Sequence, residues 1–159
     1  MATESGNEGT VCVSRVIMAS PRSIYQAFLD PEAVASWRPP EGMTGRVYAF
    51  DPCQGGAFRM SFEYVEADHS VRGKTSEHSD VVHGRFLELV PYERIVEQIE
   101  FESNDPEFAG TMMLTTTLTA VSGGTKVTIL CQNAPKGIRP SDHETGIRST
   151  LENLAAFTE

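Results

Sequence analysis

The stretch Pro140–Glu159 most constrains what this chain can fold into. Ile147, Leu151, Leu154 and Ala155 recur at helical spacing, with Phe157 or Thr158 closing the stripe. Arg148, Glu152 and Asn153 fall mostly on the other side. Ser141 followed three residues later by Glu144 reads as a capping box, a pairing that satisfies the free amides at a helix start. At about 1.5 Å per residue the helix would run roughly 25 Å, enough to cross a small domain. Nearly everything before it, past one short helical region, reads as strand. A helix with one apolar stripe must bury that stripe, and a curved antiparallel sheet is the available partner.

Thr10–Met18 is rich in β-branched residues and predicts the first strand. Ser20-Pro21 then starts a helix, with Ser as N-cap and Pro where its missing amide does no harm; Ile24, Ala27 and Phe28 share its face. Asp30-Pro31 repeats the signal, and a second short helix buries Val34 and Trp37 before Arg38-Pro39-Pro40 ends it. Strands are predicted at Gly42–Phe50, Ala57–Val65, Val81–Val90, Arg94–Glu102, Thr111–Val121 and Thr125–Gln132. The breaks between them are Asp51-Pro52 with Gly55-Gly56, the polar stretch Glu66–Asp80, Pro91-Tyr92-Glu93, Asn104-Asp105-Pro106 and Ser122-Gly123-Gly124. Short turns make the sheet an antiparallel meander, and the two-helix insertion lets the first strand cross to its far side. The expected class is therefore α+β, with about seven strands wrapped around the last helix. Its 159 residues fit one domain over 1–159, with 1–9 expected to be disordered.

The order of these pieces resembles the helix-grip fold of the SRPBCC, or START-like, superfamily. The local motifs are similar to its branch of heat-shock-protein-90 ATPase activator homologues, which is polyketide cyclase-like. They are Ala19-Ser20-Pro21 with Ile24, Ala27 and Phe28, then Asp30-Pro31-Glu32 and Trp37, then Asp51-Pro52 with Gly55-Gly56 and Phe58. Gly84, Glu88, Pro91, Arg94, Ile95 and Val96 follow, and then Gly123-Gly124-Thr125. The last helix of the branch usually carries Gly-Trp; this chain has Gly146-Ile147. The resemblance covers nearly everything from Val11. It implies a pocket between the concave sheet face and the long helix, but no single function, because one scaffold hosts lipid carriers, receptors, cyclases and co-chaperone domains.

Residues available to line such a pocket are Trp37, Phe58, Met60, Phe62, Ile99, Phe101, Met112 and Leu114, with Ile147 and Leu151 from the helix. The same side chains could instead fill a solid core. Glu97 is the anomaly, in register with Ile95, Ile99 and Phe101 on what should be an apolar face. Either it is a buried carboxylate with a partner, and a site candidate, or a register slip or sheet edge returns it to water. His78, Asp80, His83 and Arg85, near Lys74, read as a solvated strand end with ion pairs; a proton-transfer pair is the sharper alternative. His69 and His143 read as surface residues.

No Gly-x-Ser-x-Gly and no His-x-x-x-His occurs, and neither Gly-Gly pair precedes a helix at phosphate-loop spacing. No catalytic or metal-ligating residue is assigned, and no cofactor is called for. Cys12, Cys53 and Cys131 are odd in number and far apart, which fits small buried or half-buried thiols. A net charge of −9 argues against nucleic acid and anionic membranes as partners. Met1–Thr10 has no basic start or apolar run and no later stretch could span a bilayer, so the expected location is the cytoplasm, without membrane insertion. The leading expectation is a non-catalytic protein that binds a small apolar or amphipathic molecule. The alternatives are a cyclase or hydrolase using His83, Asp80 or Glu97 as acid and base, and an interaction module whose partner is a chaperone.

Overall fold

The computed structural model describes residues 9–65, 74–76 and 79–159. The expectations for His69, His78, most of the Glu66–Asp80 loop and most of the 1–9 stretch fall outside the described residues. Seven strands form one antiparallel sheet: β1 (Val11–Ile17), β2 (Met43–Phe50), β3 (Ala57–Tyr64), β4 (Ser79–Val90), β5 (Arg94–Phe101), β6 (Met112–Val121) and β7 (Gly124–Gln132). The spatial order is β1-β7-β6-β5-β4-β3-β2. Thus β1 and β2, neighbours in the chain, sit at opposite edges. Helices α1 (Pro21–Phe28) and α2 (Pro31–Trp37) carry the chain across between them. The sheet curls around α3 (Pro140–Thr158), as the helix-grip expectation requires.

The two short helices start where their sequence signals say. Ser20 Oγ accepts from Ser23 N at 3.1 Å, and Asp30 Oδ1 accepts from Glu32 N at 3.0 Å. Two bulges help the sheet curl, because an extra residue bends a strand and increases its twist. Tyr48 is the unpaired residue in β2 and Leu87 in β4. Both side chains are consequently left on the exposed side. Gly84 lets β4 pack closely against its neighbours β3 and β5, since a Cβ there would strike the Gln98 carbonyl and the Phe58 ring. The loop before β6 carries a single 3-10 turn at Pro106–Phe108.

The start of α3 differs from expectation. Pro140 takes the first helical position, Arg139 is the N-cap, and no side chain caps the helix. Proline has its φ already set for a helix and lacks the amide that a cap would satisfy, so the helix begins one residue before Ser141. Ser141 is then inside the first turn, where its carbonyl accepts from Thr145 Oγ1. Glu144 pairs with Arg148 instead of reaching back. The stripe buries Ile147, Leu151, Leu154 and Ala155. Phe157 does not close it; that ring is exposed, and the half-buried Thr158 takes the place one turn beyond Leu154. No helix among the described residues is long and apolar enough to cross a membrane.

One end of the sheet–helix interface is closed by a solid core of Ile17, Ile24, Phe28, Val34, Ile95, Val127, Leu151 and Leu154. The thiols divide otherwise than expected: Cys131 is buried, but Cys12 and Cys53 are exposed. Cys12 falls on the outward phase of an edge strand, and Cys53 sits in the turn between β2 and β3, so neither has anything to pack beneath.

Candidate functional site

Beyond that core, sheet and helix stand apart around a cavity of about 400 Å³. Strand alternation aims the wall residues. Phe58, Met60 and Phe62 come from β3, Ile99 and Phe101 from β5, Met112 and Leu114 from β6, and Ile147 from α3. All of these, with Trp37 and Glu97, lie on the cavity wall. Leu151 does not: it is one turn further along α3, where the helix has closed onto the sheet, and it packs in the core. Trp37 is a fixed wall. Its Nε1 donates to the Ala27 carbonyl at 3.0 Å, and its ring packs edge-on against Phe28 at 4.7 Å between centroids.

Glu97 faces inward and is 1% exposed. Its partner is Arg38, whose Nη1 and Nη2 donate to the two carboxylate oxygens at 2.8 and 3.1 Å. Such a two-pronged pair offsets the cost of removing both charges from water; either charge alone would be stranded. Helix α3 holds the segment that carries Arg38. Thr150 Oγ1 donates to the Arg38 carbonyl, Asn153 Nδ2 donates to the Pro39 carbonyl, and Ser149 Oγ accepts from Glu41 N. Asn153 is therefore half-buried against the segment that follows α2.

The Asp80–His83 cluster is split by the strand that carries it. Asp80, in phase with Val82 and Gly84, points into the cavity, where its carboxylate takes Lys74 N at 2.6 Å and Lys74 Nζ at 3.2 Å. His83 points out, half exposed, with its ring nitrogens 3.1 Å from Glu100 and 3.3 Å from Glu102. Arg59 also donates to Glu102, which holds that carboxyl below its usual range. Arg85 reaches the Gly55 carbonyl on the same outer side. His83 therefore cannot share a proton with Asp80 or Glu97, because the sheet lies between them.

His143 is half-buried rather than a fully exposed surface residue. It lines the cavity on the first turn of α3, and burial, with Lys74 nearby, pushes its pKa below the ordinary histidine value. It lies four residues before Ile147, so the apolar stripe itself marks that face as buried. Tyr64, also on the wall, has its hydroxyl pKa raised by burial and by Asp80. Thr116 is a further wall residue that nothing in the alternation of β6 distinguishes from a core threonine.

Known proteins share this fold. A family model described as "Activator of Hsp90 ATPase homolog 1-like protein" matches residues 18–159. The crystal structure of protein CV1439 from Chromobacterium violaceum is 36% identical, with 95% of this chain and 97% of that chain covered and a TM-score of 0.84. The solution structure of an AHSA1-like protein from Aeromonas hydrophila shares the fold at 16% identity, with 93% and 90% covered and a TM-score of 0.69. DynU16, a protein of the dynemicin biosynthetic locus, is similar at 18% identity and a TM-score of 0.67. There the match covers 94% of this chain but 47% of that one. No curated protein matches. With the family model spanning all but the first strand, and this fold beneath it, the chain belongs to the AHSA1-like family of SRPBCC helix-grip proteins.

Proposed function

We propose that this protein binds a small, mostly apolar molecule in the cavity between the sheet and α3, without catalysis of its own. The observation that carries the reading is the cavity: about 400 Å³ left between well-packed walls of aromatic, Met and aliphatic side chains. Natural interiors rarely leave such a space, because unfilled volume sacrifices dispersion contacts. Covering apolar ligand surface there is favourable by about 25 cal/mol per Å². The few polar groups on the wall, Arg38 with Glu97 and Lys74 with Asp80, would orient the ligand, as sparse polar groups do in small-molecule sites.

An acid–base enzyme is the second reading, and His143 now favours it in place of His83. Among the described residues it is the histidine that lines the cavity, together with Asp142 beside it on α3 and Asp80 from the sheet. A chaperone partner rests on the family's description and on no residue of this site.

Native mass spectrometry of freshly purified protein, followed by displacement of an environment-sensitive dye with an apolar panel, tests the leading reading. A co-purifying small molecule, or dye displaced at micromolar probe concentrations, is expected. A folded protein that carries nothing and binds no member of the panel would sink it.

A further inference from the structure

Among the described residues, two buried side-chain polar atoms lack a hydrogen-bond partner, Thr116 Oγ1 and His143 Nδ1, and both belong to the wall of the same cavity. Buried polar groups are nearly always paired, and leaving one unpaired costs about 1–3 kcal/mol. Two such atoms on residues that line one cavity, one from the sheet and one from α3, point to an absent partner.

Resting on the ligand-binding reading above, we infer that the ligand is an uncharged, elongated molecule with a hydroxyl group at each end, one taken by Thr116 and the other by His143. The two residues come from different elements, Thr116 from β6 and His143 from the first turn of α3. Thr116 pairs in register with Ile95 and follows Leu114, the partner of Glu97, so it belongs to the deep end of the cavity. At that end α3 contributes Thr150, which bonds the Arg38 carbonyl. His143 precedes Thr150 on α3 by about 10 Å at the helical rise. Between the two lies the apolar belt of Ile99, Met112 and Ile147.

The chemistry of the ends selects a hydroxyl. A threonine hydroxyl can donate or accept, and imidazole Nδ1 does one or the other according to its tautomer. A ligand hydroxyl satisfies every one of these cases, and a carbonyl does not. The charge of the described wall residues disfavours an anion. Its cations, Arg38 and Lys74, are already engaged with Glu97 and Asp80, and Glu41 and Asp142 add further negative charge. Among the described residues, a carboxylate would enter an acidic site with no free cation to meet it.

The test is dye competition with alkane-α,ω-diols, 1-alkanols and alkanoates of matched chain length, from octyl to dodecyl. It is run on wild type, Thr116→Val, His143→Leu and the double variant. Each single substitution should weaken the best diol by about tenfold, the worth of one strong hydrogen bond. The alkanol should stay within about twofold in either single variant, because it can turn to face whichever end remains, and should weaken only in the double variant. Alkanoates should bind more weakly than alkanols everywhere. Apo Thr116→Val should melt no lower than wild type, since it removes a hydroxyl without a partner. Alcohols that bind equally well to all four proteins would overturn the inference while leaving the ligand-binding reading intact; that is also the outcome if ordered water alone fills both places. Alkanoates that bind tightest, or a Thr116→Val protein that is destabilised, would likewise overturn it. If no probe displaces the dye, both readings fall.

Discussion

Arg38 grips both carboxylate oxygens of Glu97 at 2.8 and 3.1 Å from 59 residues away, and the carboxylate it grips is 1% exposed. The guanidinium arrives from the end of α2, fixed by Pro39-Pro40 and by the hydrogen bonds that α3 makes to the same segment. The pair therefore ties three elements, α2, β5 and α3, at the deep end of the cavity.

Breaking the pair from one side should be far worse than removing it. Glu97→Leu alone and Arg38→Met alone should each destabilise by about 3–5 kcal/mol, because each leaves an unpaired charge in an apolar wall. The double variant should recover most of that loss. Urea unfolding of the four proteins, treated as a double-mutant cycle, measures the coupling. Single variants that lose less than about 1 kcal/mol would show that the pair is screened by water.

The grip of α3 has its own contrast. Leu151→Ala should cost about 2–5 kcal/mol, since Leu151 is buried against the core. Phe157→Ala, at an exposed ring on the same helix, should stay within about 0.5 kcal/mol. Equal effects in a thermal melt would mean that the stripe is not packed as described.

Acid should weaken the fold in part through His143. In the unfolded chain it binds a proton at its ordinary pKa, but burial in the cavity wall holds the folded value lower. Between the two values the unfolded state carries the extra proton, so stability rises with pH across that window and falls as acid is added. His143→Gln should flatten this part of the stability–pH curve. An unchanged slope would place the histidine in water.

The thiols should react unequally. Burial pushes the Cys131 pKa up to about 12, so its thiolate is scarce as well as inaccessible. Cys12 and Cys53 are exposed, though Asp51 raises the Cys53 pKa by taking its hydrogen bond. A thiol reagent should label Cys12 and Cys53 in the folded protein, with Cys53 favoured by higher pH, and Cys131 only after unfolding. Rapid labelling of Cys131 under native conditions would show that the β1–β7 edge opens.

Much of this architecture was legible because it is written in local chemistry. Ser20-Pro21 and Asp30-Pro31 start helices by their own hydrogen bonds, and alternation from Phe58 to Tyr64 fixes a face without help from elsewhere. The polar part of the site was not legible, because its pairs are distant in sequence. Periodicity turned Glu97 inward but could not name Arg38, which belongs to another element entirely. Asp80 and His83 looked like one cluster because they are three residues apart, yet an odd separation on a regular strand puts them on opposite faces. The start of α3 was misread for a different reason: a capping box is a pattern of side chains, and Pro140 at the first helical position overrode it through backbone geometry.

The cavity itself can be tested from its wall without knowing the ligand. Met60 is buried, lines the cavity and pairs in register with Val82. In a solid core Met60→Trp would overpack and cost about 1–3 kcal/mol. Where the new ring has empty volume to enter, it gains apolar contact, and the cost should fall below about 1 kcal/mol. The same ring would occupy space a ligand needs, so dye affinity should drop sharply while the fold persists. Phe62→Ala acts in the opposite direction, enlarging the wall between Phe58 and Tyr64 and changing which probes bind best. Urea unfolding and dye titration of both variants thus read the same volume twice. A Met60→Trp protein that is strongly destabilised, paired with a wild type that binds no dye, would show side chains packed solid between sheet and helix.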